Sequence, residues 1–348
     1  MVRLPETQRA LIFDQYNGPL EIRNIPIPEP KDDEILVRIL YSGICHTDLH
    51  VWLGEMESMT TAPLVGGHEG AGEVIEVGAK VRDWKVGDRA GIKLFNNHCL
   101  SCEPCKNGYE QNCKASQNYG FTRGGTFQEY LVIRAIDAAK IPSHTNLAEA
   151  APIMCAGVTV YKALKQSEVK PGQTVVLTGA GGGLGSLGIQ FAKAMGMRVV
   201  AIDNKIKKDH CLELGAEWFV DGFDTENVIK TVIELTDGGA HGVVNLASAK
   251  KPMEQTFEYV RENGVIVFVG LPKDSKITLD TSPFIFRGLT LKGSIVGNRA
   301  DVDEAMDFVA RGIVKVPLEK VKLEEVAEVY QRMLDGKINS RCVVDLSF

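Results

Sequence analysis

Four cysteines in one short stretch, Cys99, Cys102, Cys105 and Cys113, are the residues whose types and spacing most clearly indicate chemistry. They are separated by two, two and seven residues, which allows four thiolates to surround one zinc ion. An iron–sulfur cluster also takes four cysteines, but this stretch lacks the Cys-Pro pair of ferredoxin ligation. Because four thiolates leave zinc no open position, we predict a structural metal site and look for catalysis elsewhere.

The remaining cysteines also bear on the class of protein. Half of the eight cysteines lie in this one stretch, which favours metal ligands and free thiols over a disulfide framework. Cys211 and Cys342 fit no cluster, and we predict that both are inert, small side chains.

A glycine-rich loop (TGAGGGLG, 178–185) follows an apolar run and precedes a predicted helix. In that context the backbone amides and the helix dipole can bind a pyrophosphate. The register departs from G-x-G-x-x-G, because Ala180 stands where the first glycine belongs when Gly182 and Gly185 are the second and third. We predict cofactor contacts from Gly179, Ala180, Gly181, Gly182, Gly183, Leu184 and Gly185.

Asp203 ends the next predicted strand, about twenty residues after the loop, where a carboxylate accepts hydrogen bonds from the adenosine ribose. The same charge would repel a 2′-phosphate, so NAD is favoured over NADP. Lys205, Lys207 and Lys208 follow and could partly accommodate a phosphate. We interpret Lys205 and Lys207 as a solvated helix start and keep Lys208 as a candidate cofactor residue.

A second, reactive metal site would have to be assembled from dispersed segments. The candidates are 45–50 (CHTDLH), 67–69 (GHE) and 154–157 (MCAG). Their spacing does not define a site, since a lone His68 is more often a satisfied core histidine and Glu69 would usually be solvated.

Hydrophobic patterning predicts the elements that position these residues. A chain of 348 residues favours two domains. Short β-branched runs over 34–142 predict a mainly antiparallel β domain. Beyond 172, apolar strands alternate with helices, which predicts an α/β domain with a six-stranded, doubly wound parallel sheet. The elements that we locate in this second half are strands at 175–177, 199–202, 243–245, 265–269 and 289–292, and helices at 184–195, 303–311 and 324–335.

Bulk properties exclude several function classes. A net charge of −6 and a pI near 5.7 give no electrostatic footprint for nucleic acid or an anionic membrane. The first residues lack a signal pattern, and no window reaches about eighteen apolar residues. We expect a cytoplasmic protein that acts on small molecules, with neither nucleic acid nor membrane as a partner.

Several motifs together resemble those of the zinc-dependent medium-chain alcohol dehydrogenases, most closely the fungal, yeast-type cytosolic branch. They are GHEGAG at 67–72, the 45–50 hexapeptide, the four-cysteine loop, CAGVTVYKAL at 155–164, TDGGAHG at 236–242 and GNRA at 297–300. The resemblance covers essentially the whole chain. It implies a GroES-like catalytic domain over 1–155 with both zinc sites, an NAD-binding Rossmann domain over 156–294, a segment over 295–348 that packs back on the catalytic domain, and a homotetramer.

The resemblance also implies roles for the dispersed segments. Cys45, His68 and Cys155 would bind a catalytic zinc with an open fourth position, Glu69 would approach the metal when that position is empty, and Asp48 would orient His68. Zinc in such a site acts as a Lewis acid on an alcohol, which favours reversible oxidation of primary alcohols to aldehydes with hydride transfer to NAD.

Proton transfer and cofactor binding complete the implied site. Thr47 and His50 would relay the alcohol proton to solvent. The resemblance implies five further cofactor contacts: His46 and Arg341 at the pyrophosphate, and Thr159, Val269 and Leu271 at the nicotinamide, although Val269 and Leu271 taken alone could be ordinary core residues.

Two positions that carry tryptophan in ethanol-specific members are Met56 and Leu94 here, and Ile295 is a third departure. We therefore expect a pocket that accepts longer or bulkier primary alcohols. A polyol or aryl-alcohol dehydrogenase is the nearest alternative, and a non-catalytic nucleotide sensor is the alternative from another class. The Thr47 and His50 pair and the complete set of ligands favour the alcohol dehydrogenase.

Overall fold

The computed structural model describes residues 4–224, 226–271, 276–338 and 340–347. These residues form two compact units. The first unit contains the chain up to Cys155 together with Gly297–Arg311 and the chain from Val316 onward, and the second contains Ala156–Val296 and Gly312–Lys315.

The first unit is mainly antiparallel, as predicted. Its strands before Cys155 are β1 (Thr7–Phe13), β2 (Glu21–Pro26), β3 (Glu34–Ile44), β4 (Leu64–Val65), β5 (Glu69–Val77), β6 (Arg89–Ile92), β7 (Phe95–Asn96), β8 (Gln117–Asn118), β9 (Tyr130–Arg134) and β10 (Ala139–Ile141). The helices of this part are α1 (His46–Trp52), α2 (Glu103–Lys106) and α3 (Leu147–Ala150), with 3₁₀ turns at Glu57–Met59, Glu110–Asn112 and Ala151–Met154. Strands β2, β1 and β4 form a small sheet, and β7 pairs with β8.

The second unit is a parallel sheet with helices between its strands. Its strands are β11 (Thr174–Thr178), β12 (Arg198–Asp203), β13 (Trp218–Asp221), β14 (Ala240–Asn245), β15 (Val260–Phe268) and β16 (Thr290–Gly293). Its helices are α4 (Ala156–Gln166), α5 (Gly183–Ala194), α6 (Lys208–Glu213), α7 (Val228–Leu235), α8 (Lys250–Tyr259) and α9 (Thr281–Phe286), with a 3₁₀ turn at Lys205–Lys207.

The strand order β13-β12-β11-β14-β15-β16 is that of a doubly wound sheet, which confirms the predicted fold class. The central strands carry apolar side chains on both faces because helices cover both faces. The prediction gave no position for β13, whose four residues are too short a run to stand out.

The chain then returns to the first unit. This part contains α10 (Arg299–Ala310), β17 (Leu318–Val321), a 3₁₀ turn at Leu323–Glu325, α11 (Val326–Leu334) and β18 (Arg341–Asp345). Strand β18 pairs antiparallel with β3, and Cys342 lies opposite Ile44. The seven-stranded sheet that results has β3 near its centre and brings residue 341 to the end of β3, where Cys45 follows.

Two apolar cores support these sheets. Ile35, Val37 and Ile39 of β3 are fully buried in the first unit, and each such side chain stabilises the fold by about 1.5–3 kcal/mol. Cys211 and Cys342 are buried as small core side chains. Among the described residues no single helix is long and apolar enough to cross a membrane. Two successive helical segments separated by a bend, Leu147–Met154 and Ala156–Gln166, reach that length and apolar composition only when they are counted together.

Candidate active site

The first feature of the site is the turn from β3 into α1. Cys45 is the N-cap of α1, and its backbone N–H donates to Asp48 Oδ2 at 2.8 Å. The Asp48 N–H donates back to the Cys45 carbonyl oxygen at 3.1 Å. This reciprocal pair satisfies two backbone donors at the helix start and fixes the backbone that carries the Cys45 thiol.

His68 enters the site from the start of β5. Gly67, the residue before it, has φ +88°, and a Cβ there would lie 2.7 Å from the Phe127 ring and from Thr126 Oγ1, so only glycine fits. His68 Nδ1 donates to Asp48 Oδ1 at 2.7 Å. His68 Nε2 is buried and has no hydrogen-bond partner among the described residues. The ring is therefore held by one nitrogen and presents the other for a ligand.

The structure brings three dispersed segments together. One ligand atom from each of Cys45, His68, Glu69 and Cys155 lies within 4.8 Å of all the others, and all four residues are buried. Cys155 directly follows the 3₁₀ turn at Ala151–Met154. Two sulfurs, an imidazole nitrogen without a partner and a carboxylate form a donor set that fits Zn²⁺.

The two thiols of this cluster differ in acidity. A hydrogen bond from the Cys155 thiol holds the pKa of Cys45 well below its usual range, and the same interaction raises the pKa of Cys155. The pair thus favours one thiolate and one thiol that share a proton. Because a metal binds the deprotonated sulfur, Cys45 is ready to act as a ligand before a metal arrives.

Glu69 forms a buried ion pair that was not predicted. Arg341 Nη2 donates to both oxygens of the Glu69 carboxylate, at 2.7 and 2.5 Å. Burial raises the pKa of Glu69 to about 7 even though the Arg341 charge acts to lower it. Sequence reasoning placed Arg341 only at the pyrophosphate, and its contact with Glu69, 272 residues away, follows from the pairing of β18 with β3.

The predicted relay residues lie on α1. Thr47 and His50 are three residues apart and so lie on the same face of the helix, one turn from each other. His50 Nδ1 contacts Glu55 Oε2 at 2.5 Å, and the His50 side chain is partly exposed. His46 is exposed at the start of the helix, with its ring 6.3 Å from that of His50. A proton at Thr47 therefore has a partly exposed base one turn away.

The four cysteines of the 99–113 loop lie close together, as their spacing predicts. One sulfur from each of Cys99, Cys102, Cys105 and Cys113 lies within 4.8 Å of the others. The Cys102 N–H donates to Cys99 Sγ at 3.3 Å, and the Cys99 N–H donates to Cys113 Sγ at 3.5 Å. Hydrogen bonds from Ser101 and Cys102 lower the pKa of Cys99 to about 5, whereas burial raises that of Cys105 to about 12. Four sulfurs with backbone N–H donors fit a structural zinc ion.

In the second unit, the glycine loop joins β11 to α5. Gly179 has φ +64° and makes the sharp turn, so the turn glycine stands one residue before Ala180, which is fully buried. This explains how alanine is accepted in the first motif position. A Cβ on Gly185 would lie 2.4 Å from the Gly179 carbonyl oxygen, so the last glycine permits the close approach of helix and turn. Gly182 caps α5, whose N-terminus opens toward this loop.

Asp203 contacts the same loop. Its Oδ2 accepts from the Gly181 N–H at 2.8 Å, and its Oδ1 accepts from the Asn204 N–H at 2.7 Å. Lys207 is half-buried in the 3₁₀ turn before α6, and a Cβ on Gly181 would lie 2.7 Å from Lys207 Cδ. The stem of Lys207 therefore packs on the loop, whereas Lys208 is exposed at the first residue of α6.

Three further cofactor candidates lie elsewhere in the second unit. Thr159 is buried in α4. The Val269 N–H donates to the Asn245 carbonyl oxygen at 3.0 Å, which ties the ends of β15 and β14 together. Leu271 is 68% exposed, so ordinary core packing does not explain its apolar side chain.

Comparisons with known proteins identify the family. Residues 31–143 match the alcohol dehydrogenase GroES-like domain, and residues 183–311 match the zinc-binding dehydrogenase family. Alcohol dehydrogenase 1 of Caenorhabditis elegans is 68% identical over 346 residues, which cover 99% of each chain. The chain belongs to the zinc-dependent medium-chain alcohol dehydrogenases. Alcohol dehydrogenase 2 of the same organism is 63% identical, over 99% of this chain and 98% of its own.

Solved structures of this dehydrogenase family show the same fold. An alcohol dehydrogenase from the archaeon Aeropyrum pernix superposes with a TM-score of 0.88 at 28% identity, covering 97% of this chain and 99% of its own. These matches confirm the predicted family, fold and enzyme class. They do not test the narrower prediction of a fungal branch.

Proposed function

We propose that this dehydrogenase catalyses the reversible oxidation of primary alcohols to aldehydes with NAD at the Cys45, His68 and Cys155 cluster. The observation that carries the proposal is the buried set of four donors in which His68 Nε2 has no partner among the described residues. His98 Nε2 is also buried without a partner among the described residues, so what distinguishes His68 is its place beside two sulfurs and a carboxylate. The four-cysteine loop would hold the second, structural zinc.

Each residue of the cluster has a distinct task. Cys45, His68 and Cys155 would hold a zinc ion that acts as a Lewis acid on the alcohol oxygen. Asp48 keeps the His68 proton on Nδ1, which leaves Nε2 as the ligand atom. Thr47 would accept a hydrogen bond from the alcohol hydroxyl and pass the proton on toward His50, which would release it to solvent.

The cofactor preference rests on Asp203. We infer that its carboxylate accepts hydrogen bonds from the adenosine ribose of NAD and repels a 2′-phosphate. The nicotinamide at the other end of NAD would accept the hydride. Lys207 beside Gly181 acts in the opposite direction and would partly accommodate NADP. The loop residues 179–185 would bind the pyrophosphate, and His46, Thr159, Lys208, Val269, Leu271 and Arg341 are the further proposed cofactor contacts.

The substrate range follows from Met56 and Leu94. Both are smaller or more flexible than tryptophan, and one methylene in an apolar pocket changes the free energy of binding by about 1–3 kcal/mol. We therefore propose that kcat/KM increases from ethanol toward longer primary alcohols. A profile of kcat/KM against chain length tests this, and Met56→Trp and Leu94→Trp should shift its maximum toward ethanol. A wild-type profile with a sharp maximum at ethanol would exclude the wider pocket.

We also propose a cytoplasmic homotetramer with the domains 1–155, 156–294 and 295–348. Self-association is supported by apolar side chains at one edge of the parallel sheet. Leu291 on edge strand β16 is exposed, as are Ile285 and Phe286 of α9, the latter by 90%. Light scattering after gel filtration gives the mass in solution, and Phe286→Asp should lower it if this edge is an interface.

The decisive experiment combines zinc analysis with turnover. Purified protein, its Cys45→Ser variant and a Cys211→Ser control are compared for zinc content, NAD binding and NADH formation with a series of primary alcohols. Cys211 is an equally buried cysteine outside both clusters. The proposal requires that Cys45→Ser loses turnover while NAD binding persists and the control stays active. No turnover by zinc-loaded wild-type protein with any alcohol or aldehyde would favour a nucleotide sensor.

A further inference from the structure

An open cavity of about 540 Å³ lies in the first unit, and none of its lining residues belongs to either metal cluster. Its buried wall includes Trp84, Val302 and Met306. Its volume is within the range of sites that bind small organic molecules. The reaction proposed above does not use this cavity.

One wall of the cavity carries Lys93, which is only 2% exposed. This lysine forms no hydrogen bond or ion pair with any residue in the part of the chain that the structure describes. Burial lowers its pKa to about 8, against the opposite influence of the nearest carboxylates. A buried ammonium group without a partner is energetically unfavourable. An anion that entered the cavity would supply the hydrogen-bond acceptor and the opposite charge that Lys93 lacks.

Two of the carboxylates near Lys93 are already engaged. Asp137 accepts from His98 Nδ1 at 2.7 Å and from the Asn97 N–H at 2.9 Å. Glu110 accepts from the backbone N–H and from Nε of Arg299, both at 3.0 Å. Neither can turn its bonded oxygens to Lys93 without breaking these hydrogen bonds.

Asp303 is the remaining carboxylate that acts on Lys93. It lines the same cavity, and burial raises the pKa of its carboxyl group. It does not form an ion pair with Lys93, so it does not occupy the position that a bound anion would take. Its negative charge nevertheless lies near Lys93 and would repel that anion electrostatically. Removing its charge should therefore strengthen anion binding.

The walls indicate which anion would fit. Trp84 is fixed by a hydrogen bond from Nε1 to the Ala135 carbonyl oxygen at 3.0 Å, and Lys140 Nζ lies 4.9 Å from the centroid of its ring, so an apolar body would pack against the part of this rigid ring that Lys140 leaves uncovered. The cavity is also lined by Asp83, Asp303 and Asp307 and by Lys140 and Arg299, which contact the Asp83 carbonyl oxygen and Glu110, respectively. These side chains together leave Lys93 as the cation without a partner among the described residues and add no net positive charge for an ion with several negative charges. A single negative charge on an apolar body satisfies both conditions.

We propose that this cavity binds a small monocarboxylate, with its carboxylate on Lys93 and its apolar body against Trp84 and Met306. The site is separate from the catalytic cluster and does not depend on the proposed reaction. Hexanoate is a suitable probe because it has one carboxylate and a short apolar chain. Hexanamide, which has the same shape without the charge, and inorganic phosphate are the matched controls.

Isothermal titration calorimetry of the zinc-loaded protein tests the proposal. We expect saturable heat with hexanoate and none with hexanamide or phosphate. Lys93→Met keeps the length and apolar stem of the side chain and should weaken hexanoate binding by about tenfold or more, since a charge-assisted hydrogen bond is lost. Asp303→Asn should strengthen it by about two- to fivefold.

A carboxylate could also bind at the catalytic cluster, so the same titration is made with Cys45→Ser. Unchanged hexanoate binding in Cys45→Ser and weakened binding in Lys93→Met support the cavity. The reverse pattern, equal binding of phosphate, or no heat with wild-type protein would overturn it. Quenching of tryptophan emission by hexanoate that is lost in Trp84→Phe would locate the apolar body independently.

Discussion

Asp48 joins two residues of the catalytic cluster through its two carboxylate oxygens: Oδ1 accepts from His68 Nδ1 at 2.7 Å, and Oδ2 accepts from the Cys45 N–H at 2.8 Å. The end of β3 and the start of β5 are thereby fixed relative to each other at the point where both supply a metal ligand. The carboxylate is buried and holds both partners at once. It therefore sets the geometry of the cluster without being one of its ligand atoms.

Asp48→Asn should weaken the catalytic zinc site. The amide has only one acceptor oxygen, so either the Cys45 N–H or the His68 Nδ1–H loses its partner. Loss of such a supporting contact lowers metal affinity by about 10–100-fold. Competition with a chelator should release one zinc per chain more readily than in the wild type, whereas Asp14→Asn, at an exposed aspartate, should behave as the wild type. Equal zinc retention in both variants would show that Asp48 does not position the ligands.

Sequence reasoning located the features that are local in the chain. The four-cysteine loop and the glycine loop depend on spacing within a few residues, and both fold as their spacing predicts. The contact of Arg341 with Glu69 depends on the pairing of β18 with β3, which no local pattern encodes. The packing of the Lys207 stem beside Gly181 is likewise a contact between separate segments that no local pattern encodes, and it is compatible with a charge that stays in water.

Gly43→Ala should disturb the catalytic cluster through sterics alone. A Cβ at this position of β3 would lie 1.9 Å from Glu69 Oε2, so the carboxylate must move off Arg341. We expect destabilisation of about 1–3 kcal/mol, as for overpacking elsewhere, together with reduced kcat. Gly293→Ala is the matched control, because this strand glycine has no atom within 4 Å of its would-be Cβ. Chemical denaturation of the three proteins measures the difference, and similar stability of both variants would contradict the prediction.

Cys113→Ser should remove the structural zinc and leave the catalytic one. Cys113 Sγ accepts from the Cys99 N–H, and its loss leaves three thiolates around the ion. We expect the zinc content to fall from two to one per chain and the Tm to fall by about 2–4 °C for each kcal/mol lost. Residual turnover per catalytic zinc should persist at low temperature. Loss of both zinc ions at once would show that the two sites do not fold independently.

Asp203→Ser should shift the cofactor preference toward NADP. The carboxylate that would bind the ribose hydroxyls is removed, so kcat/KM with NAD should fall by about 10–100-fold, while kcat/KM with NADP should rise. Lys207 would supply the phosphate contact, so the double variant with Lys207→Met should lose the gain with NADP. Steady-state kinetics with both cofactors measure these ratios. A gain with NADP that survives the loss of Lys207 would assign the phosphate contact to another residue.

Glu69 should make the stability of the zinc-free protein depend on pH. Burial raises its pKa to about 7 in the folded state, whereas an unfolded glutamate titrates near about 4.3. Between these values the folded state binds more protons, so its free energy of unfolding falls as the pH rises, by up to about 1.4 kcal/mol per pH unit. Glu69→Gln removes this titration, and wild-type minus variant stability, from denaturation after chelation of zinc, should fall from about pH 5 to 7 and then level off. Glu76→Gln, at an exposed position of the same strand, controls for the loss of one charge. A flat difference for Glu69→Gln would mean that Arg341 keeps this carboxylate ionised throughout.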